Sequence, residues 1–188
     1  TELARSNRLL KDLNKASLSD PRVKVVNDDA FTHVQDSKAT YDVVLIDLVD
    51  PSNEKLAKLY STEFYRNIEA RLAPEGVMVT QATSTFFSPH AFSTVASTVA
   101  AAQPDRQILP FSTNVPSFGE WGFVLSTRTP RNLISQPLPK GLTYQDRKTL
   151  EFIMRTKPAR TETMEPSTLL HPRIVEVYNQ DMRQWRYY

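Results

Sequence analysis

The sequence contains no cysteine, which excludes disulfide bonds, thiolate nucleophiles and sulfur-ligated metals from its chemistry. It has no apolar run near the roughly 18 to 20 residues that a membrane-spanning helix needs, and its first residues have no signal-peptide pattern. Its three histidines, His33, His90 and His171, lie far apart and form no metal-ligand motif, so no metal site is predicted. The net charge is only +2, which offers no electrostatic footprint for nucleic acid. As given, the chain is predicted neither to span a membrane nor to be exported.

The stretch from Tyr41 to Pro51, YDVVLIDLVDP, is the most informative in the sequence. Its apolar run predicts a strand buried on both faces, as in a parallel sheet covered by helices. Asp47 and Asp50 then fall at the carboxyl end of that strand, where ligands bind in open α/β sheets. A purely structural interpretation is equally open for Asp50, which would cap a helix that has Pro51 at its first position. That interpretation leaves Asp47 unexplained.

The 188 residues suffice for one domain with a proper core. Helices are predicted mainly from apolar residues at helical spacing and, for some of them, from a cap residue at the start. They are Thr1–Lys15, which has no cap before it, Ala30–Gln35, a segment ending near Leu59, a segment from Ser61 or Thr62 to Pro74, a segment from Ser88, Thr143–Arg155 and a segment from Pro172. Strands are predicted, besides the one above, at Val23–Val26, Val77–Gln81, Arg106–Phe111 and Trp121–Thr127. The alternation predicts an α/β fold with a parallel doubly wound sheet and the last two strands as an antiparallel edge pair.

Two further polar segments are predicted at the same sheet edge as Asp47. Asp29 follows the strand Val23–Val26, and the loop QATS, Gln81–Ser84, follows the strand Val77–Gln81. The domain boundaries predicted from these patterns are residues 1–128 for the α/β domain and residues 129–188 for a proline-rich connection and a helical extension that packs on it.

Four segments follow one another in a familiar order and spacing: NDDAF at Asn27–Phe31, then YDVVLIDLVDP, then LYSTEFYRNIEARLAPEGVMVTQATS at Leu59–Ser84, then VPSFGEWGFVLS at Val115–Ser126. Together they resemble the spermidine synthase family, the polyamine aminopropyltransferases. The forms QATS and VPSFGEWGF look most similar to bacterial members whose corresponding domain follows a hydrophobic, membrane-embedded region. The resemblance implies a Rossmann-like sheet of the type found in S-adenosylmethionine-dependent methyltransferases.

The resemblance also implies a reaction and a set of roles. The aminopropyl group of decarboxylated S-adenosylmethionine, a co-substrate that is not permanently bound, would pass to a diamine such as putrescine. Asp47 would be the base that takes the proton from the attacking amine, while Asp50 and Gln81 would bind the amine. Asp29, which contacts the adenine in the family, and Ala30 would bind the nucleotide. Burial at the mouth of the apolar strand would make Asp47 a better proton acceptor, and no metal is required.

Three departures from the family pattern matter. First, Phe118 stands where the family has a tyrosine that contacts the amine, in a loop that is shorter by about two residues. Second, Ser52, Asn53 and Glu54 replace the family's Gly-Pro pair. Both departures put the identity of the amine in question. The family's first strand, glycine-rich nucleotide loop and ribose-binding acid would lie before Thr1. The sheet is therefore expected to be truncated at its N-terminal strands, with its nucleotide site completed by the missing part of the same protein.

This truncation carries further expectations. The 188 residues alone are expected to bind nucleotide weakly or not at all, and to be inactive. The parent protein is expected to hold this domain at the cytoplasmic face of a bacterial membrane and to form a homo-oligomer. Two alternatives remain: a methyltransferase on the same fold, which would not need the Asp47–Asp50 pair, and a non-catalytic homologue, which the phenylalanine at position 118 favours.

Overall fold

A computed structural model describes residues 1–128, 137–142, 146–155 and 161–185. Four strands form one sheet, in the order β1-β2-β4-β3: β1 is Tyr41–Ile46, β2 Leu72–Gln81, β3 Gln107–Val115 and β4 Gly119–Thr127. β1 and β2 are parallel, whereas β4 runs antiparallel to both β2 and β3. The predicted α/β architecture and the antiparallel edge pair are therefore confirmed.

Eight α-helices accompany this sheet in the described residues: α1 Glu2–Ser6, α2 Arg8–Leu13, α3 Ala30–Asp36, α4 Glu54–Ala57, α5 Thr62–Glu69, α6 Pro89–Ala102, α7 Arg147–Arg155 and α8 Arg173–Arg183. Short 3₁₀ turns occupy Ser17–Ser19 and Lys58–Tyr60. α5 begins at the predicted cap, since the Ser61 hydroxyl accepts a hydrogen bond from the Phe64 amide. α6 begins, as expected, with Pro89 at its first position, where a missing N–H costs nothing.

One face of the sheet carries the core. Ile46, Met78 and Val124, from three adjacent strands, are buried against α5 and α6, whose Phe64 and Phe92 are almost fully inaccessible. α8 contributes its Ile174 to the same apolar cluster, while α7 packs against β3. On the opposite face, the register aligns a row of residues that are only partly buried or exposed, namely Leu45, Val79, Leu125 and Leu109.

β1 is not buried on both faces, so that part of the prediction is wrong. Val44 and Ile46 face the core, but Tyr41, Val43 and Leu45 on the other face are exposed, Leu45 by 74%. The physical reason is position: β1 lies at one end of the described sheet and has β2 as its partner. An apolar run alone does not reveal whether both faces of a strand are covered.

Other predicted elements also differ from the structure. The helix expected over Thr1–Lys15 is interrupted at Asn7, which is extended and caps α2 by accepting from the Leu10 amide. The strand expected at Val23–Val26 does not form, because none of the described strands lies beside these residues, whose two terminal valines are exposed.

β2 begins at Leu72, five residues before the expected start, and therefore includes Pro74 and Gly76. A register shift in the β1–β2 pairing, between Tyr41 and Val43, accommodates this segment. A Cβ on Gly76 would lie 2.9 Å from the Tyr41 carbonyl oxygen, which explains the glycine. Pro74 and Gly76 usually mark the end of a helix, but in this protein they lie inside an irregular strand.

In the C-terminal third, α7 ends where predicted, at Arg155, and the Asp146 carboxylate accepts from the Thr149 amide at its start. The expected cap, Thr143, lies outside the described residues, as does 129–136 of the predicted proline-rich connection. α8 follows Pro172, as predicted, and ends at Arg183, so that Trp185 lies beyond the helix.

Candidate active site

A cavity of about 760 Å³ opens where β1 and β2 end. It is lined by residues of the 45–50 segment, of β2 and of the β3–β4 hairpin: Leu45, Ile46, Asp47, Leu48, Val49, Asp50, Val79, Gln81, Val115, Phe118, Trp121 and Phe123. Three of the five predicted site residues, Asp47, Asp50 and Gln81, are thus brought to one cavity. Among its described lining residues two are carboxylates and none is basic, so the cavity favours a cationic ligand with apolar parts.

The two carboxylates differ in environment. Asp47 is exposed, whereas Asp50 is half-buried. The partial desolvation expected for Asp47 is therefore not observed, since β1 lies at the end of the described sheet. Burial instead raises the pKa of Asp50, and a hydrogen bond from the Tyr178 hydroxyl partly offsets this effect.

Asp50 is not a helix cap, so the structural interpretation of this residue is wrong. Asn53 caps α4, accepting from the Leu56 amide at 3.3 Å. The helix begins three residues later than the Asp-Pro signal suggests, because the chain at Asn53 is extended. The Asp50 carboxylate accepts a 3.0 Å hydrogen bond from Tyr178, 128 residues further along the chain.

Gln81, at the end of β2, is 3% exposed and forms four hydrogen bonds through its amide. Its Nε2 donates to the Leu48 carbonyl oxygen at 2.8 Å and to the Tyr60 hydroxyl at 2.6 Å. Its Oε1 accepts from the Thr83 amide at 2.9 Å and from Trp121 Nε1 at 3.1 Å. Gln81 therefore connects the segment that carries both carboxylates to β2 and β4.

Aromatic side chains form one wall of the cavity. The Phe118 and Trp121 rings meet edge to face with centroids 5.5 Å apart, and Phe118 is 61% exposed. Tyr60, which is fully buried and does not line the cavity, donates from its hydroxyl to the Val49 carbonyl oxygen at 2.9 Å, and burial raises its pKa. Aromatic rings beside carboxylates suit an alkylammonium group, which a ring face also attracts.

The two residues predicted to bind nucleotide do not line this cavity. Asp29 caps α3 by accepting from the Phe31 and Thr32 amides at 3.0 and 3.2 Å, and its other oxygen pairs with Lys58 Nζ at 2.5 Å. The hydrogen bond from Lys58 is the main reason that the pKa of Asp29 is lowered. Ala30 is the first residue of α3. Asp29 thus follows an extended, unpaired segment instead of the predicted strand.

Sequence reasoning missed Tyr60, Trp121 and Tyr178 as parts of this site. Tyr178 lies four residues after Ile174, on the apolar stripe of α8, and such a stripe indicates core packing. Its hydroxyl partner is 128 residues away, and no local signal links the two positions. Within the described residues, no three His, Asp or Glu side chains come together as a metal site.

The fold and the cavity define an α/β domain with a carboxylate pair at the carboxyl ends of parallel strands. The family model for the spermine/spermidine synthase domain matches residues 4–136. The chain belongs to this family. None of the helices in the described ranges is both long and apolar enough to cross a membrane.

Two similar proteins are named polyamine aminopropyltransferases. Polyamine aminopropyltransferase 1 of Streptomyces coelicolor is 42% identical over 192 residues, covering 100% of this chain and 35% of that protein. The polyamine aminopropyltransferase of Mycobacterium tuberculosis is 40% identical over 189 residues, covering 97% of this chain and 34% of that protein. The chain thus spans about a third of the length of these relatives.

A solved structure supports the fold. Spermidine synthase in complex with the transition state analogue AdoDATO superposes with a TM-score of 0.69 and 21% identity, over 82% of this chain and 54% of that one. The shared fold is Rossmann-like, of the type found in S-adenosylmethionine-dependent methyltransferases, as the family resemblance implies.

Proposed function

We propose that this chain provides the amine-binding part of a polyamine aminopropyltransferase. The observation that carries the proposal is the cavity that Asp47 and Asp50 share, in a chain of the spermine/spermidine synthase family. The substrates would be decarboxylated S-adenosylmethionine and a diamine such as putrescine. Both are cations, and a cavity with two carboxylates offsets their mutual repulsion.

In the proposed reaction, the amine nitrogen attacks the propyl carbon next to the sulfonium. A new C–N bond forms as the C–S bond breaks. The electron pair of the C–S bond goes to sulfur, so that methylthioadenosine is the leaving group. Asp47 takes the proton that the amine loses. An alkyl amine has a pKa near 10.4, so freeing its lone pair at pH 7 costs about 4 to 5 kcal/mol, and a positioned carboxylate reduces that cost along the reaction path.

The other residues serve substrate binding in this proposal. Asp50 holds the ammonium group, and its burial strengthens the attraction between opposite charges. Gln81 serves the same site by holding the Leu48 carbonyl group and the Tyr60 hydroxyl, because all four of its hydrogen bonds go to protein groups. Phe118 and Trp121 would contact the methylene chain of the amine.

For the nucleotide we propose the residues that the family pattern indicates, Asp29 and Ala30 at the start of α3. Asp29 already accepts two backbone amides and pairs with Lys58, so nucleotide binding would have to displace Lys58. We expect the 188 residues alone to bind methylthioadenosine weakly, because the relatives are about three times as long. Calorimetry on this chain tests the expectation, and micromolar affinity would contradict it.

From the motif resemblance alone, we further propose that the whole protein holds this domain at the cytoplasmic face of a membrane and forms a homo-oligomer. We also propose that residues 129–188 act as an extension packed on the domain of residues 1–128, which the contact between α6 and α8 supports. Membrane fractionation and the mass of the purified whole protein test the first two points.

The experiment that tests the function uses the whole protein that contains this chain. It is incubated with decarboxylated S-adenosylmethionine and a panel of diamines, and in parallel with S-adenosylmethionine, and the products are identified by mass spectrometry. We expect aminopropylated amine together with methylthioadenosine. A methylated product would indicate a methyltransferase instead, and the absence of any product from either donor would indicate a non-catalytic homologue.

A further inference from the structure

The C-terminal helix α8 is fixed beside the cavity by a buried carboxylate. Asp181, 3% exposed, accepts from the backbone amides of His90 and Ala91 at 3.0 and 2.9 Å, and its other oxygen lies 2.6 Å from His90 Nδ1. These amides belong to the first turn of α6, whose N–H groups have no partner within the helix. Seven residues earlier in α8, about two helical turns away, Ile174 is fully buried in the core. α8 therefore has a defined position relative to the sheet.

From this position α8 contacts the segment that carries the carboxylates. The Tyr178 hydroxyl donates to Asp50 Oδ2 at 3.0 Å, and Asn179 Nδ2 donates to the Ser52 carbonyl oxygen at 3.4 Å. In the described part of the chain, the hydrogen bond to the Asp50 carboxylate comes from Tyr178. One oxygen of Asp50 is thus held by α8, and the other remains for a ligand.

We propose that Tyr178 is a positioning residue for the amine-binding carboxylate, so that α8 belongs to the substrate site. The inference rests on the proposed function, which assigns the amine to Asp50. A carboxylate held through one oxygen presents the other in a fixed direction, so less rotational freedom is lost when an ammonium group binds. A hydrogen bond to the ionised form also favours that form over the protonated one.

The alternative is that Tyr178 only packs, since its ring also lies against the core cluster. The two roles separate through pH. Asp50 faces Tyr178 from α8 and Tyr60 from the turn 58–60, and it shares the cavity with Asp47. Without the Tyr178 hydroxyl, nothing from α8 offsets the effect of burial, so the pKa of Asp50 rises further. As the pH falls, Asp50 then becomes protonated earlier, and amine binding is lost at a higher pH than in the wild type.

The test uses Tyr178→Phe in the whole protein, with Gln180→Ala, an exposed residue of the same helix, as the matched control. We expect Tyr178→Phe to raise the KM for the diamine about tenfold and to move the acid limb of kcat/KM to higher pH. The KM for decarboxylated S-adenosylmethionine should stay unchanged, and Gln180→Ala should resemble the wild type. An unchanged KM and acid limb in Tyr178→Phe would overturn the inference.

Repeating the substitution in Asp50→Asn protein separates a positioning role of Tyr178 from a general loss of folding. In Asp50→Asn protein, Tyr178→Phe should cause no further change in diamine affinity, because its effect passes through the Asp50 charge. A tenfold change that persists in that background would overturn the inference.

Calorimetric titration of the diamine at several pH values separates this inference from the proposed function. Diamine binding that shifts in Tyr178→Phe, without any transfer by the wild type, supports the inference and contradicts the proposed function. If the wild type transfers the aminopropyl group but diamine binding does not shift in Tyr178→Phe, the proposed function is supported and the inference is contradicted. A wild type that binds no diamine at any pH contradicts both.

Discussion

Gln81 donates a 2.8 Å hydrogen bond to the Leu48 carbonyl oxygen and so connects the ends of two parallel strands. Leu48 lies between Asp47 and Asp50, and Gln81 is also bonded to Tyr60, Thr83 and Trp121. One buried amide thus holds the segment after β1 against the end of β2, beyond the last strand pair, Ile46 and Thr80. The site is a small polar network in an otherwise apolar cavity wall.

We predict that Gln81→Leu destabilises the protein by about 3 kcal/mol, because several buried polar groups lose their partners at once. Urea-induced unfolding at neutral pH measures this effect. Gln180→Leu, which replaces an exposed glutamine of α8, is the control and should change the free energy of unfolding by less than about 0.5 kcal/mol. Equal effects of the two substitutions would show that the network contributes nothing to stability.

Asp50 is predicted to reduce stability at neutral pH. Its pKa is raised in the folded state, so the folded protein holds the proton more tightly than the unfolded chain does. The stability gained in this way is fully present below the unfolded pKa, about 3.9. That stability is lost as the pH rises through the folded value. Asp50→Asn should therefore be more stable than the wild type at pH 7, by on the order of 1 kcal/mol, with no such gain near pH 3.

Unfolding curves measured between pH 3 and pH 7 test this prediction. Asp47→Asn, which changes an exposed carboxylate of the same segment, is the matched control and should stay within about 0.5 kcal/mol of the wild type. A gain for Asp50→Asn that is the same at every pH would mean that the charge is not its cause.

Gly122 lets β4 approach both the loop 81–84 and α6. Its amide donates to the Thr83 carbonyl oxygen at 2.7 Å, and a Cβ at this position would lie 2.4 Å from the buried Phe92 ring. We predict that Gly122→Ala costs about 2 kcal/mol through overpacking. In a double-mutant cycle, Phe92→Leu should recover about 1 kcal/mol of that cost. Strictly additive effects would contradict the proposed clash.

Much of the fold follows from local signals. The cap of α5 and Pro89 at the start of α6 both form where the sequence predicts them. Each depends on residues within a few positions of one another. The carboxyl-end placement of Asp47, Asp50 and Gln81 also follows, since parallel strands bring their ends to one edge.

What the sequence did not reveal depends on non-local partners. Val23–Val26 has the sequence pattern of a strand but pairs with no strand in the described chain. β1 is apolar on both faces, yet one of these faces is exposed in the described structure. The hydrogen bond from Tyr178 to Asp50 joins residues 128 positions apart. Periodicity places Tyr178 on an apolar stripe, but it cannot show where the hydroxyl at the end of the ring points.

The central claim is that Asp47 takes the proton of the attacking amine, and Asp47→Asn in the whole protein tests it most directly. Asp42→Asn, an exposed carboxylate of β1 that does not line the cavity, is the control and should leave transfer unchanged. We predict that Asp47→Asn lowers kcat for aminopropyl transfer by about 10²- to 10⁴-fold, with a smaller change in the KM for the diamine. Transfer by Asp47→Asn at the wild-type rate would contradict the account.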